Sequence, residues 1–209
     1  MNKIIKVNPL PNHFSITWFL GDLCNYDCMY CPSEVHNNIN THNHDLETMK
    51  SVWRNIDQKA KKLGLKYKIS FTGGEVTANK NFLPLLKWLR ENYHDIEFVG
   101  ISTNGSASVN YLKTISKYVD SISFSTHSEF MDESKFFKKV LVIDRLMIRP
   151  EKSLHVNIMD EYWNQSRTPL YTKWLSDHNI SFSITKIDYS KKIRIHPMIK
   201  GNLNIESIN

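Results

Sequence analysis

Six short stretches rich in β-branched and aromatic residues alternate with helix-periodic segments along these 209 residues, and no other property of the chain restricts its fold so much. The stretches are Ser15 to Leu20 (SITWFL), Tyr67 to Thr72 (YKISFT), Glu97 to Ser102 (EFVGIS), Ser121 to Thr126 (SISFST), Leu154 to Met159 (LHVNIM) and Ile180 to Thr185 (ISFSIT). From Asp45 to Leu63, apolar Leu46, Met49, Val52, Trp53, Ile56, Ala60 and Leu63 recur at helical spacing, and Gly64 follows as a stop. In the next helix Phe82, Leu85, Leu86, Leu89 and Tyr93 share a face, with Pro84 in the first turn, where its missing N–H costs nothing. Further helices are predicted over about Asn110–Tyr118, Asp132–Met147 and Thr168–His178. Strands and helices in this order predict an α/β fold with parallel strands and right-handed crossovers. A closed eight-stranded barrel typically needs about 250 residues. The shorter chain predicts a partial, open (βα)6 TIM-type barrel spanning residues 1–209 as one domain, with an irregular strand at IRI in the last segment.

Functional groups of parallel α/β folds gather where strands end. Here the segments after the strands read GDLCNYDCMYC, GGEVT, TNGS, HSEF, DEYWN and KIDYS, so all three cysteines and much of the glycine fall at one end of the sheet. Cys24, Cys28 and Cys31 lie within eight residues, which scattered core thiols would not do. An odd number so close together points to metal rather than to disulfides. Three thiolates suit a cubane with one iron left open. Zinc is the rival, with His36, His42 or His44 as fourth ligand. The formal charge of +6 is scattered, which disfavours nucleic acid as a partner. No stretch has the length and apolarity of a membrane span, and MNKIIKVNPLPNHF lacks a signal-peptide core, so a cytoplasmic location is expected.

The octet Cys24-Asn25-Tyr26-Asp27-Cys28-Met29-Tyr30-Cys31 resembles the CxxxCxΦC signature of the radical S-adenosylmethionine (SAM) superfamily, with Tyr30 as the aromatic position. The resemblance implies a [4Fe-4S] cluster on the three cysteines and SAM on the open iron. Gly73, Gly74 and Glu75 then match the family's GGE segment, which holds the SAM ammonium. Ser102 and Asn104, in Ser102-Thr103-Asn104-Gly105, match the segment that meets its carboxylate or ribose. Read as turns alone, both segments would be commonplace. Ser125 and His127 share a face at the fourth strand end, pointing either into the site, Ser125 toward SAM and His127 toward substrate, or into solvent. Val76 stands where the family commonly has proline, and no adenine-contact motif is recognisable on the fifth strand, although Asn157, Met159 and Asp160 occupy about the right place. No cysteines remain for auxiliary clusters.

The resemblance also implies a reaction. Reductive cleavage of SAM gives a 5'-deoxyadenosyl radical, which abstracts hydrogen from substrate; a reductase, flavodoxin or ferredoxin supplies the electron. Trp18, Tyr26, Met29 and Tyr30 are candidates to shield the cluster, Trp18 equally a core residue. For the substrate wall, Asp160, Glu161, Lys186, Asp188, Lys191, Lys192 and Arg194 follow the last two strands, as groups facing a small polar substrate or as solvated loop charges. A nucleotide, sugar or modified amino acid is the expected substrate. The alternatives are a glycyl-radical activase acting on a partner protein and a non-catalytic zinc module.

Overall fold

The computed structural model describes residues 13–31, 44–147 and 152–187. Its strands are β1 (His13–Phe19), β2 (Lys66–Thr72), β3 (Ile96–Thr103), β4 (Ser121–Ser125), β5 (Ser153–Asp160) and β6 (Ser181–Lys186). Between them run α1 (Leu46–Lys61), α2 (Phe82–Asn92), α3 (Val109–Ile115), α4 (Glu133–Asp144) and α5 (Thr168–Asp177). The strands form one sheet in the order β1-β2-β3-β4-β5-β6, every neighbouring pair parallel, so the fold is the partial, open TIM-type barrel expected. The expected IRI strand, together with Asp188, Lys191, Lys192 and Arg194, lies outside the described residues.

Local chemistry explains the elements. Asp45, Ser108 and Asp132 cap α1, α3 and α4 by accepting the N–H of Thr48, Tyr111 and Lys135, donors that a helix start leaves without partners. Helix α1 buries Met49, Trp53 and Ala60 together with Asp57, which accepts the Tyr67 hydroxyl at 2.9 Å. Leu63, counted in the apolar stripe, is 71% exposed because the helix ends before it.

Side-chain alternation divides the sheet into two unlike faces. Tyr67, Ile69, Phe71, Val99, Ile101, Ile122, Phe124, Leu154, Val156 and Ile158 are buried beneath the helices and carry the apolar core. The opposite, concave face is rich in hydroxyls: Ser70, Ser102, Ser121, Ser123, Ser125, Ser153, Ser181, Ser183 and Thr185, with His155 and Asn157 among them. A chain of hydrogen bonds crosses it, from His155 Nε2 to Ser183 Oγ (2.8 Å), Ser183 Oγ to Asn157 Oδ1 (3.2 Å) and Thr185 Oγ1 to Asn157 Oδ1 (2.7 Å). Burial of apolar area therefore acts between sheet and helices, and the concave side is left polar.

Candidate active site

At the C-terminal ends of the strands the concave face opens into a cavity of about 440 Å³. Cys24, Cys28, Cys31, Tyr30, Gly73, Gly74, Ser102, Asn104, Ser125 and His127 all line it, so the structure gathers most of the sequence-derived candidates in one place. Phe19, Tyr26, Thr72, Thr103, Asn157 and Met159 complete the lining. Phe19 had only its position at a strand end to announce it, whereas Thr72 and Thr103 lie beside and within the two quoted segments without having been singled out. Among the described residues the lining contains no Lys or Arg.

The two glycines seat the cysteine loop. Gly73 has φ 145°, in the region L side chains avoid, and a Cβ there would lie 2.6 Å from the Gly21 carbonyl oxygen. A Cβ on Gly74 would lie 2.4 Å from the Leu23 carbonyl oxygen. Through that close approach Gly74 N donates to Gly21 O at 2.9 Å and Glu75 N to Leu23 O at 2.7 Å, which prolongs the β1–β2 pairing into the loop.

Glu75 takes a different position from its neighbours. It is buried and borders a small void beside the cavity rather than the cavity itself. Its Oε1 accepts from Thr77 N (2.9 Å), Thr77 Oγ1 and Thr103 Oγ1 (2.7 Å), and its Oε2 from Asn104 N (2.6 Å). The carboxylate thus joins the ends of β2 and β3. Asn104, placed by this contact, donates from Nδ2 to Asn25 Oδ1 (3.0 Å) and approaches Cys24 Sγ (3.9 Å).

Across the cavity His127 Nδ1 meets the Tyr30 hydroxyl and lies 3.5 Å from Cys28 Sγ. The His127 and Tyr30 rings stack, and Tyr26 stacks on Phe130. Burial pulls His127 down to about 4, so the imidazole is neutral, and holds Tyr30 well above its ordinary range. Burial, with the thiol of Cys28 and carboxylate of Glu75 adding to it, pushes Tyr26 up to about 12. The Cys24 and Cys28 thiols are also raised, by burial first and by nearby Glu75 and Glu129 second. Trp18 belongs to the helix-side core, stacked on Trp53 and Phe71. Met29 is buried outside the cavity lining.

Asp160 and Lys186 pair in register but do not line the cavity. Residues alternate along a strand, so Asp160 and Lys186 share the face of Leu154, Val156 and Ile158, whereas Asn157 and Met159 face inward. Asp160 accepts the Thr168 hydroxyl at 2.8 Å. Glu161, fully buried, accepts Ser128 N at 3.2 Å and the Ser128 hydroxyl. Of the histidines offered for zinc, His36 and His42 lie outside the described residues, and His44 lies away from the cavity, its carbonyl accepting from Asn81 Nδ2. Among the described residues no three His, Cys, Asp or Glu side chains gather around a single metal ion.

The family model described as the Radical SAM superfamily matches residues 18–145, from the end of β1 to just past α4. The chain belongs to the radical SAM superfamily. It is similar to the GTP 3',8-cyclases of two Clostridium perfringens strains, SM101 and 13, at 28% identity over 140 residues, 66% of this chain and 42% of each relative. The chain thus spans less than half the length of these relatives. Its fold is similar to a crystal structure of Streptococcus suis SuiB bound to precursor peptide SuiA, with a TM-score of 0.60 at 16% identity, covering 93% of this chain and 45% of that one. By its family the chain is an enzyme of the radical SAM type, and the family's cofactors are a [4Fe-4S] cluster and SAM.

The donor set fits those cofactors. Three thiols and no ammonium or guanidinium line the described cavity, and burial opposes ionising Cys24 and Cys28 without a cationic partner, which iron supplies. No helix among the described residues is long and apolar enough to cross a membrane.

Proposed function

We propose that this chain binds its cluster through Cys24, Cys28 and Cys31, cleaves SAM reductively and directs the resulting radical at a small or medium polar substrate. The observation that carries the reading is that all three cysteines share one cavity with Gly73, Gly74, Ser102, Asn104 and Ser125. When bound, the reduced cluster supplies the electron that breaks the C5'–S bond and yields the 5'-deoxyadenosyl radical. Gly73 and Gly74 would present backbone carbonyls to the SAM ammonium, with Glu75 holding that turn against β3. Ser102, Asn104 and Ser125 would meet its carboxylate or ribose as neutral hydrogen-bonding groups. Tyr30 stacked on His127, with Tyr26 edge-on to the same imidazole, would exclude water and oxygen from the cysteine loop.

The neutral amide of Asn157, which lines the cavity and accepts the Ser183 and Thr185 hydroxyls on the same concave face, favours an uncharged polar moiety such as a sugar or nucleoside. A triphosphate like that of GTP would find no cation in the described lining. A second reading, a polypeptide substrate, draws on the edge that β6 leaves unpaired among the described residues, five of whose six residues are exposed, and on the peptide bound by SuiB. A partner protein, as for a glycyl-radical activase, falls under this reading. A flavodoxin- or ferredoxin-type donor would supply the electron.

Anaerobic reconstitution tests the reading. About four irons per chain and an EPR signal of the reduced protein that changes on adding SAM are expected. Stoichiometric zinc without iron would overturn it. Release of 5'-deoxyadenosine stimulated by neutral sugars and nucleosides, by GTP or by peptides then separates the substrate classes.

A further inference from the structure

The turn after β4 grips the cysteine loop at three successive points. Phe130 stacks on Tyr26 at 5.4 Å between ring centroids, Glu129 Oε2 accepts Met29 N at 2.9 Å, and His127 contacts both Cys28 and Tyr30. The turn is itself fixed: Phe130 N and Met131 N donate to His127 O at 3.1 and 2.9 Å, and buried Glu161 at the end of β5 holds Ser128. Of the three grips, only Glu129 brings a charge. Any neutral acceptor would satisfy the Met29 amide, so the carboxylate adds something that a purely structural contact does not need. Met29 directly follows Cys28, and Glu129, half-buried as a residue, has its Oε1 buried, so its charge lies beside a ligand position with little water around that oxygen.

We infer, resting on the cluster reading above, that Glu129 is a positioning residue for the cluster: it sets the loop between Cys28 and Cys31 and lowers the cluster's reduction potential. Net charge and hydrogen bonding around the thiolates set the potentials of iron–sulfur clusters, and a neighbouring anion disfavours the added electron. A lower potential makes the reduced cluster a stronger donor toward the sulfonium.

Glu129→Gln and Glu129→Ala, each reconstituted anaerobically as the full chain, test this. Readouts are iron per chain, the midpoint potential from an EPR-monitored redox titration, and the rate of iron loss to a chelator. The Gln variant retains an acceptor for Met29 N, so it should hold iron like the wild type while its reduction equilibrium shifts about tenfold toward the reduced state, a rise of about 59 mV for one electron. The Ala variant should show the same rise and lose iron about tenfold faster, the scale seen when an outer partner of a metal ligand is removed. An unchanged potential in the Gln variant overturns the inference, as does iron loss from Gln as fast as from Ala. If the Ala variant does not fold, the potential of the Gln variant decides alone. A wild-type protein that takes up no iron removes the cluster reading itself, whereas a wild-type cluster with unresponsive variants removes only the role of Glu129.

Discussion

Gly74 and Glu75 are adjacent in sequence and do opposite jobs. At Gly74 a Cβ would collide with the Leu23 carbonyl at 2.4 Å, and backbone on both sides leaves no flexible group to yield. Gly74→Ala should therefore displace the cysteine loop, and iron per chain after anaerobic reconstitution should fall to below about half of the wild-type value, the outcome when ligand placement is lost. Full iron loading would show that the loop accommodates the methyl group. Glu75 was legible as part of a motif, but its partners were not, because Thr103 and Asn104 reach it only through the register of β2 against β3. Glu75→Gln keeps the shape and turns one acceptor into a donor facing the Asn104 N–H or the two threonine hydroxyls. The buried mismatch should cost about 1–3 kcal/mol in denaturant unfolding. SAM affinity in calorimetry should also fall at least about tenfold, because Asn104 moves with its amide. Stability equal to the wild type would show that the carboxylate does not hold the two strand ends together.

Elements were the most legible level, since apolar period and caps are local: Asp45, Gly64, Pro84 and Asp132 mark helix ends that the structure places within a few residues of the expected ones. Helices α3 and α4 each end three residues early, at Ile115 where Tyr118 was expected and at Asp144 where Met147 was; in α3 residues 116 to 118 tighten into a turn in which Tyr118 N donates to Ile115 O at 2.8 Å. Contacts between elements were hidden. Lys139 on α4 donates to the carbonyls of Gly105, Ser106 and Ala107 at 2.6, 3.2 and 3.0 Å, and so holds the loop that carries Asn104. Nothing in FFKKVLVID distinguishes that lysine from its solvated neighbour Lys138. Lys139→Met keeps the stem and removes the donors, leaving three carbonyls to other partners. SAM binding should weaken several-fold while iron per chain stays at the wild-type value, since the cysteine loop is held mainly from Gly73, Gly74 and Glu129. Loss of iron in this variant would mean that the β3–α3 loop supports the cluster as well.

At the scale of the whole molecule, the sheet's two faces decide where chemistry can occur, and strand parity sets which residues reach it. Asp160 and Lys186 read as substrate groups when only their position after a strand is considered; the two-residue period sends them to the helix side, and Asn157 and Met159 inward. Asp160→Ala combined with Lys186→Ala should leave SAM affinity and substrate-independent SAM cleavage within about twofold of wild type, and should lower stability by about 0.5–1.5 kcal/mol through the lost bond to Thr168. The same sheet also predicts a gradient of motion. Strands β2, β3 and β4 are central and bury Ile69, Phe71, Val99, Ile122 and Phe124 completely, whereas β6 is outermost among the described strands and has one half-buried residue, Phe182. Local opening follows apolar contact and solvent access, so amide hydrogen exchange should be slowest in β3 and β4 and markedly faster in β6. Adding SAM to the reconstituted protein should slow exchange at residues 20–31, 72–76 and 102–107, where the loops interlock, and leave β6 fast. A cognate polar substrate should then slow β5 and β6, because Asn157, Ser183 and Thr185 are the neutral groups left facing it. Equal protection of β6 and β3 without ligand would contradict the gradient, and substrate protection confined to β1 and β2 would move the substrate to the other side of the cavity.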